Sequence, residues 1–309
     1  MSKIELKING KKLKFFDSFS YSAQIDTIAG SLSFNSFIDY ETFDYLLVEG
    51  YRDDILIFTG EIIDKTIPKT TPPEPFGYKC ESLTHILSEC TLPTDAYPLQ
   101  LENSTLKDIV EYICGYYEIT VLFDQSTSSE AGGQYKLSDL GLAKPAAQII
   151  NELVTQVGLI LTNDSFGQLI VTKNIEQSEI TLPRYLTNNK SFNLKEFFYN
   201  YIALGQAPVG QDLDIQAIAR FSNIDQRRNT TKIQDSGGIN TIEKKAEGMR
   251  ADSLKAISQS LSFSNFFCNV GDFVTIGDSK LIINQIDYSY NAGGEACNVG
   301  LVDSQLYER

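Results

Sequence analysis

Apolar and polar positions alternate through most of the first ninety residues, the period that sets one face of a strand against a core. Ile4-Glu-Leu6-Lys-Ile8 is the first such run, and the Asn9-Gly10 that follows supplies the positive φ angles of a tight hairpin turn. Phe15 to Gln24 continues in aromatic and small polar residues, Ser31-Leu-Ser-Phe-Asn35 alternates cleanly, and Tyr45 to Val48 and Ile55 through Ile63 follow. Short strands at this spacing predict a small antiparallel β-barrel. Prolines at 68, 72, 73 and 75 cannot donate to a ladder, so Pro68 to Pro75 is expected as an exposed loop or arm. Ser82 to Cys90 reads as a short helix with Leu83, Ile86 and Leu87 on one face.

From about Leu99 the period lengthens. Leu106, Ile109, Val110, Ile113 and Cys114 form one helical stripe, with Asn103 or Ser104 as cap and Gly115 as stop, and Ile119 to Phe123 is a strand. After a Ser/Gly-rich loop, Pro145 suits the first turn of a second helix lined by Ile149, Ile150, Leu153, Val154 and Val157, which Gly158 closes. Leu159 to Leu161 and Leu169 to Val171 make a hairpin around Asn163 to Gly167. The two helix-to-strand units look like a degenerate duplication within one small α/β domain. In the last third, Tyr201 to Gln206 is β, and Ser222 to Gly238 is a polar, exposed excursion. A helix is expected from about Thr241 to Leu261, burying Ala246, Met249, Leu254, Ile257 and Leu261. Three strands close the chain, Asp272 to Ile276, Lys280 to Ile286 and Ala296 to Leu301, with turns at Gly277-Asp278 and Asn291 to Gly294. The predicted fold is mainly β, of the α+β class. Residues 1–97 make a first β-barrel, 98–183 a small α/β domain, and 184–309 a second, similar β-barrel, with an excursion near 216–245 and a helix near 241–261.

Composition narrows the functional classes. Lys and Arg number 26 against 40 Asp and Glu, a net charge of −14, which argues against binding nucleic-acid phosphates or an anionic membrane surface. No apolar run reaches the roughly 20 residues that cross a bilayer, and charges stand near the N-terminus where a signal peptide needs an apolar stretch, so cytoplasmic synthesis is expected. Cys80, Cys90, Cys114, Cys268 and Cys297 are odd in number and never in a C-x-x-C pair. With the single histidine, His85, they form neither a disulfide framework nor a zinc site by spacing, and are expected as buried thiols.

Catalytic candidates are few. A triad hydrolase would have to use His85, which lies among apolar residues of the short helix. Asp53-Asp54, Asp212 and Asp214 sit in turn-like contexts that suit solvated charge better than a glycosidase pair. Neither a phosphate loop nor a strand followed by G-x-G-x-x-G occurs; Gly132-Gly133, Gly237-Gly238 and Gly293-Gly294 read as turns, and Asp212, Asp214 and Asn163-Asp164 lack the remaining ligands of a calcium loop. The aromatic supply is Phe and Tyr without Trp, which suits core and interface more than sugar stacking. No catalytic residue, cofactor site or metal site is therefore assigned from sequence.

Taken in order, several segments resemble the baseplate hub proteins of contractile-tailed phages, the family of the Mu-type tail hub and, more distantly, the late control D proteins. They are Leu6-Lys-Ile-Asn-Gly10 with Ile25 to Leu32, Phe58-Thr-Gly-Glu-Ile-Ile-Asp64, and Tyr78 to Cys90. The helices from Leu106 and Ile149, the run Leu161 to Val171, Tyr201 to Gln206, and Val270 to Leu301 complete the set, although Gln24 and Asp26 stand near where a basic residue is common in the family. The resemblance implies a non-enzymatic structural hub, a homotrimer whose two β-barrels per subunit make a pseudo-sixfold ring between the sixfold tail tube and the threefold central spike. Its implied partners are further copies of itself, the spike protein, the tube protein and other baseplate proteins. Its implied place is the tail baseplate of a virion or related injection particle, after assembly in the bacterial cytoplasm. Nothing resembling a needle or oligonucleotide-type fold follows residue 309, so the spike is expected to be a separate chain. Acidic residues lining the lumen would repel passing DNA. Pro68, Pro72, Pro73, Pro75, Arg227 and Arg228 are the candidate partner-contacting positions. Two other classes compete: a tail-associated enzyme that degrades peptidoglycan, and a module that binds glycans on the host surface.

Overall fold

A computed structural model describes residues 3–40, 45–69, 74–93, 104–132, 134–135, 144–175, 178–193, 195, 198, 200–204, 216–220, 231–235, 242–276 and 279–307. The first third supplies β1 (Ile4–Ile8), β2 (Lys11–Lys12), β3 (Ser18–Gln24), β4 (Ser31–Ser36), β5 (Leu47–Arg52), β6 (Ile55–Thr66) and β7 (Phe76–Ser82), then a 3-10 turn (Leu83–His85) and α1 (Ile86–Glu89). The middle contains β8 (Ser104–Thr105), α2 (Leu106–Gly115), β9 (Val121–Phe123), α3 (Ser128–Ala131), β10 (Gln134–Tyr135), α4 (Ala146–Gln156), β11 (Ile160–Asn163) and β12 (Leu169–Thr172). Next come β13 (Thr187–Phe192), β14 (Asn200–Leu204), β15 (Gln216–Ala219), β16 (Thr231–Asp235) and α5 (Ile242–Asp252), and β17 (Ile257–Ser264), β18 (Phe273–Ile276), β19 (Ser279–Asn291) and β20 (Gly294–Asp303) complete the chain.

The chain is mainly β, but the expected pair of barrels takes another form. Strands of the first and last thirds join in one 12-stranded sheet, ordered β13-β17-β20-β19-β3-β4-β7-β6-β5-β1-β2 with β18 beside β19. Among the described residues no ladder closes either half into a ring. The seam is β3 against β19, from Phe19 opposite Tyr290 to Gln24 opposite Gln285. Alternation along β3 fixes which of its faces is apolar and is silent on which strand lies beside it, so the seam could not be read from the pattern.

The sheet rolls on itself. Arg52 at the end of β5 reaches Glu295 on β20, although five strands stand between them in the sheet order. One core fills the roll, drawing Leu6, Phe19, Phe34, Val48, Phe58 and Tyr78 from one half and Leu261, Phe263, Ile286, Tyr288 and Val299 from the other. Phe34 stacks on Tyr78 with centroids 5.0 Å apart, and Phe267 meets Tyr288 edge-on at 5.4 Å.

Between β7 and β13 a separate core forms from Leu106, Ile109, Val110 and Ile113 of α2, Ile149, Ile150 and Val154 of α4, and Leu169 and Val171 of β12. The cap of α2 is Thr105 rather than Asn103 or Ser104: its hydroxyl accepts from the Asp108 amide while the Asp108 carboxylate accepts from the Thr105 amide. Pro145 caps α4, and Gly158 takes φ +74° beyond its end. The polar stretch expected as an excursion contributes β15 and β16, which flank β14; β14 and β15 pack with α5 through Tyr201, Ala203, Ala219, Ala246 and Met249.

The helix expected to reach Leu261 is corrected. It ends at Asp252, a 3-10 turn runs to Ala256, and Ile257-Ser-Gln-Ser-Leu-Ser-Phe-Ser264 is a strand. Here a period of two, with Leu261 and Phe263 buried, outweighs the helical spacing that Ile257 and Leu261 also satisfy. A third cluster, of Ile25, Ile160, Ile175, Leu254, Ile282, Val302, Leu306 and Tyr307, ties the middle of the chain to both sheet halves.

Candidate functional site

Successive side chains of a strand point to opposite faces, so the serines of Ser18-x-Ser20-x-Ser22 and Ser31-x-Ser33 all leave the core together. Register then aligns them across the sheet. Ser262, Asn298, Asp287, Ser22, Ser31, Glu81 and Glu61 stand opposite one another in turn on β17, β20, β19, β3, β4, β7 and β6. A second row runs Ser289, Ser20, Ser33, Lys79 and Asp64. Hydrogen bonds run along each row: Ser22 donates to Asp287 at 2.6 Å, Ser20 and Ser33 share a bond of 2.6 Å, and Ser262 donates to Asn298 at 2.7 Å. Asn298, Asp287, Ser22 and Ser31 of the first row and all of the second line a groove of about 490 Å³. Its chemistry is hydroxyl and carboxylate with Lys79 as a cation, suited to polar contact with a partner surface. The alternating serines mark this face in the sequence, but only the register of strands far apart in the chain assembles it.

The catalytic candidates are used structurally. His85 is buried, and its Nε2 meets Glu61 at 2.5 Å. Among the described residues no serine hydroxyl or thiol is hydrogen-bonded to it, so no nucleophile and base are assembled there. Asp53 and Asp54, at φ +50° and +65°, form the two-residue turn between β5 and β6, and Lys3 meets both carboxylates. Asp164 caps the β11–β12 turn by accepting from the amides of Phe166 and Gln168, both at 2.9 Å. Asp212 and Asp214 lie outside the described residues. Of the five thiols, Cys80, Cys114, Cys268 and Cys297 are buried and Cys90 is partly exposed; none is in a disulfide.

A buried charged network holds the roll closed. Tyr288 donates to Glu295 Oε2 at 2.9 Å, Arg52 Nη2 donates to the same oxygen at 3.4 Å, and the guanidinium lies over the Phe267 ring at 5.1 Å. Burial pushes the Tyr288 phenol well above its ordinary range. Of the proposed contact positions, Pro68 and Pro75 are half-buried at the inner ends of the β6–β7 connection, while Pro72, Pro73, Arg227 and Arg228 lie outside the described residues. No helix among the described residues is long and apolar enough to cross a membrane.

Comparison with known proteins agrees with this architecture. Residues 84–173 match the family model of the baseplate hub protein gp44-like, second domain. The resemblance to baseplate hub proteins is thereby shown. The whole chain shares its fold with the 43 kDa tail protein of prophage MuSo2 from Shewanella oneidensis, at TM-score 0.80 and 17% identity over 99% of each chain. A tail protein from Neisseria meningitidis MC58 is alike at TM-score 0.80 and 12% identity, covering 99% of this chain and 98% of the other. The E. coli c3393 protein, a type VI secretion component described as similar to the phage T4 tail proteins gp27 and gp5, aligns at TM-score 0.58 and 11% identity, covering 96% and 76%. No curated protein matches the sequence. The hub family and these neighbours are structural parts of tails, baseplates and secretion machines rather than enzymes.

Proposed function

We propose that this chain is the structural hub of a contractile baseplate, a homotrimer that adapts a sixfold tail tube to a threefold central spike. The match of residues 84–173 to a hub domain carries this reading, and the full-length likeness to tail proteins supports it. In the ring, the β regions of 1–97 and 184–309 alternate around a pseudo-sixfold axis, with 98–183 as the α/β domain. The sheet has interfaces to offer: β13 is exposed along its whole length at one edge, and Phe15, Phe37, Tyr45 and Leu186 stand in solvent. An exposed strand edge and outward aromatic groups are what a second chain covers in a permanent assembly. The polar rows meet the tube, spike or neighbouring baseplate proteins through hydrogen bonds, and the Pro68–Pro75 and Arg227–Arg228 stretches contact partners as well. Assembly takes place in the bacterial cytoplasm, and the finished particle holds the chain in its tail baseplate.

Light scattering of the purified protein tests this. The expected mass is three times 34.5 kDa, alone or on adding the cognate spike protein, with a pseudo-sixfold ring in axial images. A chain that stays monomeric in the presence of the spike would overturn the hub reading.

A further inference from the structure

One cluster of ligand-type side chains has no part in the groove's hydroxyl network or the Arg52 network. Glu81 lies near the end of β7, His85 closes the 3-10 turn and Glu89 ends α1, and one ligand atom from each lies within 4.8 Å of the others. The spacing is four residues twice over, Glu81-x-x-x-His85-x-x-x-Glu89, and the turn and short helix bring all three to one side. Glu61 stands directly opposite Glu81 on β6, a like-charge cross-strand pair that costs stability unless a cation offsets it. Exposed Lys79 meets Glu81 at 2.9 Å and offsets one of the three carboxylates.

The imidazole supplies the second observation. Its Nε2 faces the Glu61 carboxylate and so carries the N–H. That leaves a lone pair on Nδ1, which is buried without a hydrogen-bond partner among the described residues. Glu89 Oε1 lies 3.7 Å from Nδ1, too far for a hydrogen bond. A lone pair turned toward carboxylate oxygens is repulsive unless a positive charge stands between them. Two ligands of one tetrahedral ion, each about 2.1 Å from it, are separated by about 3.4 Å.

We propose that Glu81, His85 and Glu89 bind a divalent transition-metal ion, zinc by the mixture of imidazole and carboxylate, with Glu61 orienting His85 through Nε2. Three protein ligands leave a fourth position for water or a partner's side chain. Bound there, the ion clasps the sheet at β7 to the root of the 84–173 domain. The proposal is independent of the hub reading and stands or falls on metal uptake.

The test uses the full chain after dialysis against a chelator, titrated with Zn²⁺ in a calorimeter and with Co²⁺ by visible absorption. One ion per chain is expected, with the Co²⁺ bands of a low-coordinate site. Glu89→Gln, at an exposed position, should weaken binding about tenfold or more, and Glu61→Gln by about 10- to 100-fold. Glu111→Gln on the exposed face of α2 should leave it unchanged, and circular dichroism checks that each variant folds. Absence of stoichiometric uptake, or uptake unaltered in folded Glu81→Gln and Glu89→Gln, would overturn the proposal.

Discussion

Arg52→Met is the sharpest probe of the rolled sheet. The substitution keeps an unbranched apolar stem and removes the charged guanidinium, leaving the Glu295 carboxylate, 1% exposed, with the Tyr288 hydroxyl as a donor. Stripping one partner from a buried ion pair costs about 3–5 kcal/mol. Here the Arg52 side chain keeps 18% exposure and the contact is long at 3.4 Å, both of which reduce the loss, while the stack on Phe267 adds to it. A destabilisation of about 2–3 kcal/mol is expected, read as a shift in the urea midpoint with unchanged slope. Glu295→Gln in the same background removes the stranded charge and should recover about 1–2 kcal/mol, so the two substitutions are strongly non-additive. An Arg52→Met protein within 0.5 kcal/mol of the parent, or a double variant whose loss is the sum of the singles, would show that the Arg52–Glu295 contact does not hold the roll closed.

Other changes probe separate parts of the molecule. At Gly60 an added Cβ would collide with the Glu81 backbone carbonyl and sit 2.5 Å from the Phe58 ring, so Gly60→Ala should cost about 3 kcal/mol in chemical denaturation, whereas Gly115→Ala, with open space around it, should be near neutral. Thr105→Ala removes the α2 capping box and should cost about 1 kcal/mol. The Thr105 hydroxyl, then its amide, holds the Asp108 carboxyl below its ordinary range, so the cap's contribution is complete above about pH 4 and lost as pH falls through the lower folded value; the variant's stability should flatten in that range. Burial pushes the Cys114 thiol up to about 12 and the Cys80 thiol higher, so at pH 8 both should resist alkylation in the native protein while Cys90 reacts first, as peptide mass spectrometry after brief labelling would record.

Features set by neighbours in sequence were legible before the structure. Asn9 and Gly10 both take positive φ, as their dipeptide demands, and the apolar stripe of α2 is buried at each of its five positions. What escaped was set by residues far apart. The β3–β19 seam joins positions more than 250 residues distant, and Arg52 and Glu295 are separated by 243. The end of α5 was misjudged where two periods overlap, since Ile257 and Leu261 satisfy a helix and a strand alike, and the register of the sheet decided between them. The Glu81–His85–Glu89 cluster was missed for a different reason: attention to cysteine spacing hid a histidine flanked by two glutamates at equal intervals.

The same division explains where the family signal sits. The core of the 84–173 region is built almost wholly within its own segment, from Leu87 to Val171, so packing constrains which apolar residue follows which along one contiguous stretch. The sheet's core draws on residues from Leu6 to Cys80 and again from Leu261 to Leu301, and each strand is asked only to alternate and to keep its register. Many sequences meet that weaker demand. Likeness over the whole chain therefore survives as shape, at TM-score 0.80 with 17% identity, while likeness in the middle survives also as sequence pattern. Geometry lies in backbone pairing across the whole sheet, while the outward rows of serine, asparagine and acid set the chemistry its surface offers.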